Sequence, residues 1–231
     1  MKTIIPDVIR RYCRDYKHRI ELLRSKSGQY NVVKYGTNYG MACVAVDLLD
    51  KSSIIWSVGV GRDVSFDKRL LASTGAEVHL FDPSPRSVDW IMEHQLYEQF
   101  KVHQWGIASE SGMKRFSLPS DENHVSGSLT ADLGGEDVCL PFKTLDHTAK
   151  DLGHDTVDFL KLDIEGEEYR LLDNYAHNGS CVEIRQMWVE FHPDRAPNSR
   201  KNVQEIAETM SGRGYSVEAR VGGSILLVQR E

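Results

Sequence analysis

From residue 52 onward, short apolar runs alternate with amphipathic stretches, and few folds accept that alternation. "SSIIWSVGV" runs into Gly61 and "FDKRLLAS", and "AEVHLFD" into "PRSVDWIMEHQLYEQ", with "FKVHQWGIA" after it. "TVDFLKLDI" precedes "EEYRLLDNYAHN", which stops at Asn178-Gly179, and "EIRQMWVEFH" precedes "KNVQEIAETMSGRG". A short apolar run followed by a 3.6-residue period predicts a buried parallel strand and its crossover helix. "YSVEARV", Gly222-Gly223 and "SILLVQRE" then predict an antiparallel hairpin. The expected fold class is therefore α/β: a doubly wound, mostly parallel seven-stranded sheet with an antiparallel C-terminal hairpin. "MKRFSLP" and "VCLPFKTL" flank the polar loop "SDENHVSGSLTADLGGED" and predict an inserted hairpin. A loop of that length is often functional, and its His124, Ser126 and Ser128 can bond the hydroxyls of a ligand such as a sugar.

Ahead of this pattern, Ile5, Val8, Ile9, Tyr12, Tyr16, Ile20 and Leu23 recur at helical spacing. Residues 1–34 are read as an amphipathic helical extension beginning at Pro6, and residues 35–231 as the domain proper. Residues 1–26 hold eight basic and three acidic side chains, a net of +5, against -6 for the whole chain. That basic face is either solvated or set against an anionic surface. The overall acidic balance argues against nucleic acid as a partner. No apolar run reaches transmembrane length and no signal-peptide segment opens the sequence. Cys13, Cys43, Cys139 and Cys181 are scattered, which fits reduced thiols and a cytoplasmic protein. Oligomeric state is left open.

The first strand ends in "SVGVGRDVSFD", a glycine turn that lets backbone approach a ligand at a helix start. Val64 stands where a dinucleotide fingerprint needs its third glycine, and no Gly-Lys-Ser/Thr follows to make a P-loop. The second strand ends in Asp82, which can accept from both ribose hydroxyls or cap the helix after Pro83. Glycine turn, strand-end carboxylate and closing hairpin together favour S-adenosylmethionine over NAD.

"SVGVGRDVSFD", "VHLFDPSP", "WGIAS", "VDFLKLDIEGEE" and "QMWVEFHP" stand in an order and spacing that resemble the FkbM family of S-adenosylmethionine-dependent methyltransferases. The likeness spans roughly residues 35 to 228 and is nearest the branch containing animal methyltransferase-like proteins. It implies a class I methyltransferase (Rossmann-like) fold and methyl transfer to a hydroxyl of a sugar, glycan or natural product. It further implies that Gly59 and Gly61 approach the cofactor, that Asp82 holds the ribose, and that Trp105, Gly106 and Ile107 lie near the adenine. Many relatives carry an acid where Ser57 stands, to contact the cofactor's amino acid end. Here Asp63, Asp67, or Tyr39 and Gly40 of "GTNYG" are the alternatives for that contact.

Methyl transfer from a sulfonium needs alignment of acceptor oxygen, methyl carbon and sulfur, and a group to take the acceptor's proton. Asp163 and Glu165 end one central strand and Glu190 and His192 the next; each i, i+2 pair shares a face while its strand stays regular. His192 is the expected base, with Asp163 and Glu165 orienting the acceptor or the cofactor amine and Glu190 orienting the imidazole. A second reading makes these side chains ligands for Mg2+ or Mn2+. Glu167 and Glu168 are explained as helix-start acids that suit the helix dipole. Two other readings are a cofactor- or partner-binding domain without turnover, and methylation of a protein substrate.

Overall fold

The computed structural model describes residues 21–24, 26–121, 124–196 and 202–230. Three antiparallel strands come first: β1 (Glu21–Arg24), β2 (Asn31–Tyr35) and β3 (Ala42–Ala45). Leu22 pairs with Val33 in the β1–β2 ladder, so residues 21–24 are strand and not the end of the expected helix. Four residues carry no decisive period of their own, and an available partner edge decides their conformation. Residues 1–20 of that expected helix lie outside the described residues. The expected boundary between residues 34 and 35 falls inside β2.

The first half of the central sheet is β4 (Ile54–Val58), α1 (Ser65–Thr74), β5 (Glu77–Phe81), α2 (Pro85–Glu93) and β6 (Lys101–His103). β7 (Gly106–Ile107), β8 (Gly112–Pro119) and β9 (Gly134–Lys143) form a side sheet, in which β8 and β9 are the inserted hairpin. α3 (Leu145–Leu152) follows, unforeseen because it is short; Thr144 caps its start and Gly153, at φ 71°, closes it. The second half runs β10 (Thr156–Val157), β11 (Phe159–Leu162), α4 (Glu168–His177), β12 (Glu183–Ile184), β13 (Gln186–Val189), α5 (Val203–Gly212), β14 (Tyr215–Val221) and β15 (Ser224–Gln229).

The central sheet has the order β14-β15-β13-β11-β4-β5-β6, parallel from β13 to β6, with β15 antiparallel to both its neighbours. This is the seven-stranded class I methyltransferase sheet expected from the sequence. Both faces are covered, which is why the strands read as nearly continuous apolar runs. Trp56, Leu160, Leu162 and Met187 face a cluster containing Leu172, Ile206 and Met210. Ile55, Phe159, Trp188 and Leu226 face another containing Leu70, Val32 and Val44. Gln186 fastens β3 to the second face: it accepts from the Ala45 N–H at 2.9 Å and donates to the Ala45 carbonyl at 3.2 Å.

Strand order reverses between β4 and β11, since the chain winds from β4 towards β6 and later from β11 towards β13. A crevice opens beyond the carboxyl ends of strands at such a switch point. Among the described residues no helix is long and apolar enough to cross a membrane.

Candidate active site

The floor of the crevice is set by glycine. Gly59 sits at φ 79°, and a Cβ there would lie 1.7 Å from the Asp163 carbonyl oxygen, so β4 and β11 meet at this residue only without a side chain. Gly61 turns the backbone again at φ 58° and donates its N–H to Asp82 Oδ2 at 2.9 Å. Gly59, Gly61, Asp82, Ile107, Phe142 and Asp163 are among the residues lining the resulting cleft.

Asp82 takes the capping role weighed for it and also lines the cleft. Its Oδ1 accepts from Ser84 N–H at 2.9 Å, at the start of α2. Burial pushes the carboxyl up to about 6, against the hydrogen bonds that favour its charged form.

The other expected cofactor residues divide. Gly106 and Ile107 line the cleft, as does Tyr39, which is 66% exposed at its mouth with its hydroxyl 3.3 Å from Ser126 Oγ. Trp105 does not line it: the ring packs edge-on to Phe81, with Lys143 Nζ 3.7 Å from its centre. Asp63 and Gly40 also stand away from the cleft. The Asp63 carboxylate accepts from the Thr37 hydroxyl and from Ser65 N–H at 2.8 Å, filling the space a Gly40 side chain would need. Ser57, Asp67 and Lys161 are buried together beneath the floor, where Lys161 Nζ lies 3.6 Å from Asp163 Oδ2.

The acids of "LDIEGEE" are gathered by one buried carboxylate. Glu168 is fully buried; its Oε1 accepts from Ile164 N–H at 3.0 Å and its Oε2 from Gly166 N–H at 3.0 Å. Oε1 also lies 2.9 Å from His192 Nδ1, which assigns a proton to that nitrogen. His192 Nε2 then faces Asp163 Oδ1 at 3.6 Å and Glu165 Oε2 at 3.5 Å. Glu165 is also paired with Arg195 Nε at 3.1 Å. Burial alone would depress His192, yet the Glu168 hydrogen bond and the charges of Glu168, Glu165 and Asp163 raise it to about 9. Glu165 is pushed upward by burial, against the opposing charges of His192 and Arg195.

Three expectations change here. Glu168, not Glu190, orients the imidazole; Glu190 stands near Lys161 and Asp163. Glu167 and Glu168 stand at the start of α4 as expected, but the helix dipole does not account for them alone: both are buried and accept backbone N–H groups, Glu167 from Ser109 at 3.1 Å. Asp163 and Glu165 converge through a turn and not along a regular strand: β11 ends at Leu162, and Glu165 takes φ 55°. Ser128 braces that turn by donating to the Glu165 carbonyl at 2.6 Å, a structural role, while Ser126 and His124 line a neighbouring cavity with His192 and Arg195. Glu168 and Arg195 were missed from the sequence. Four acids within six residues were the available signal, since so many carboxylates beside a buried strand need donors.

A family model, the methyltransferase FkbM domain, matches residues 46–217. "Probable methyltransferase-like protein 24" of Rattus norvegicus is 26% identical over 149 residues, which is 64% of this chain and 35% of that protein. The chain thus spans about a third of the length of that curated relative. Among solved structures, an rRNA methylase from Streptococcus thermophilus aligns with TM-score 0.42 at 9% identity, over 80% of this chain and 91% of that one. The N-terminal domain of human METTL16 in complex with SAH aligns with TM-score 0.40 at 11% identity, over 79% and 64%.

Proposed function

Because this chain belongs to the FkbM methyltransferase family, we propose that it transfers the methyl group of S-adenosylmethionine to a hydroxyl of a small molecule or glycan. The observation that carries the proposal is that Asp163 and Glu165 line the cleft walled by Gly59, Gly61 and Asp82, while His192 Nε2 faces both carboxylates from the adjoining cavity. The cofactor brings a methyl carbon already activated by its sulfonium. The glycine floor, held by positive φ at Gly59 and Gly61, leaves bare backbone for close approach of that cofactor, with Asp82 to hold its ribose and Ile107 beside its adenine.

His192 is the proton acceptor for the attacking hydroxyl. Glu168 fixes its ring and keeps a proton on Nδ1, as a buried carboxylate does for a catalytic imidazole. With the ring held near 9, roughly one in a hundred is neutral at pH 7, and the neutral form is a strong base once present. Asp163 and Glu165 orient the acceptor, and Arg195 keeps Glu165 in place. The loop residues Ser126 and His124, with Tyr39 across the mouth, meet the remainder of the acceptor.

Asp163, Glu165 and His192 each offer one ligand atom within 4.8 Å of the others, an arrangement that Mg2+ or Mn2+ chemistry would use. The fit is poor: Arg195 already sits on Glu165, and His192 holds the proton a metal would have to displace. Turnover unaffected by EDTA is expected.

The test is calorimetric titration with S-adenosylmethionine and its demethylated product, followed by mass spectrometry of a hydroxyl-acceptor panel beginning with sugars. Binding of both ligands and a 14 Da gain on an acceptor hydroxyl, abolished in His192→Gln, is the expected result. Binding without any methylated product from the panel would favour a domain that holds the cofactor without turnover.

A further inference from the structure

A second set of ligand-type side chains lies at the opposite end of the sheet, where strands begin. Glu77 opens β5 and His79 follows two residues later, on the same face of the strand. His154 arrives from the turn that closes α3, its N–H bonded to the Ala149 carbonyl at 2.9 Å. One ligand atom from each of the three lies within 4.8 Å of the other two. His79 Nε2 and Glu77 Oε1 are 2.8 Å apart, and the His79 and His154 rings stand perpendicular with centres 4.8 Å apart.

We propose that Glu77, His79 and His154 form a zinc site, remote from the methyl-transfer cleft. Two imidazoles and one carboxylate are a recurrent donor set for Zn2+, which adds water as a fourth ligand. With metal–ligand bonds of about 2.0–2.1 Å, tetrahedral donors lie about 3.3 Å apart. Glu77 Oε1 and His79 Nε2, now 2.8 Å apart, would open slightly to admit the ion, and the 47% exposed Glu77 side chain at the start of its strand has room for that movement.

The surroundings match a ligand shell for His79. Its Nδ1 lies 2.9 Å from His103 Nε2, so with Nε2 on the metal its Nδ1–H donates to His103, the outer hydrogen bond that metal-bound histidines usually keep. His154 needs one adjustment. Its Nδ1 now accepts from the buried Trp56 indole at 3.1 Å, and ligation through that lone pair exchanges this hydrogen bond for a coordinate one. The metal would join β5 to the α3–β10 turn and leave the cleft untouched.

The experiment is Co2+ titration of untagged, chelator-stripped protein, read by visible absorption and followed by Zn2+ displacement. It is run in the His192→Gln background, so that the acidic cluster at the cleft does not contribute. One equivalent giving the intense 500–650 nm bands of tetrahedral Co2+, bleached by Zn2+ and lost in His79→Gln, is expected. His154→Gln, at a half-buried turn, is the second variant should His79→Gln fail to fold. Absence of those bands, or bands that survive in His154→Gln, overturns the proposal. None of these readouts depends on methyl transfer, so the site and the proposed activity stand or fall separately.

Discussion

Replacing His192 with glutamine should cost the fold most at acidic pH and least at alkaline pH. In the folded chain three carboxylates hold the imidazolium to about 9, whereas an unfolded histidine titrates near 6.5. A raised pKa stabilises the state that binds the proton more tightly. That stability is fully present below pH 6.5 and is lost as pH rises through about 9. A difference of roughly 2.5 units at about 1.36 kcal/mol each amounts to about 3 kcal/mol. The side chain is 19% exposed, so little is lost to solvent screening. Glutamine still offers Glu168 a donor but cannot take up a proton. Urea unfolding of both proteins from pH 6 to pH 10, with EDTA present, gives the stability difference directly; other titrating groups are common to both and cancel. The gap between them should shrink by about 3 kcal/mol across that range. An equal gap at every pH would show that Glu168, Glu165 and Asp163 do not hold the ring charged.

Asp82→Ala should weaken S-adenosylmethionine binding at least tenfold by calorimetry, and wild-type affinity should fall as pH drops through about 6, where the buried carboxyl gains its proton. Gly59→Ala must displace the Asp163 carbonyl and adopt positive φ; a loss of roughly 3 kcal/mol in urea unfolding is expected, and wild-type stability would refute the close approach. Glu168→Gln should lower the acid limb of the pH–rate profile, near 9 in the wild type, by about one unit or more. It also turns an amide N–H towards the Gly166 N–H, for a loss of about 1–3 kcal/mol in stability. A limb that stays in place would remove Glu168 from the control of His192.

The central sheet was legible because its strands are buried on both faces and its helices carry the complementary period; residues such as Leu160 and Met187 announce both facts. β1 was not, because its four residues take their conformation from the β2 edge. At the site, the glycine turn and Asp82 were readable from their places at strand ends. Glu168 was not. Acids at a helix start look alike in sequence whether they meet water or, as here, the N–H groups of Ile164 and Gly166. Trp105 was not readable either: its indole packs edge-on to Phe81 and beneath Lys143 while its neighbours Gly106 and Ile107 line the cleft.

β15 follows β14 in sequence yet lies between β14 and β13. Until it inserts, β13 has an open edge and β14 has no strand to pair with, so this side of the sheet cannot assemble in chain order. A nascent chain in which β15 is not yet available would expose the Gln186–Val189 edge, whose side chains are all buried in the finished fold. Such an edge is the kind on which strands from other molecules add. The family-matched segment, residues 46–217, stops before β15. Expressed alone it should aggregate through that uncovered strand, whereas a form retaining residues 218–230 can close the sheet on itself.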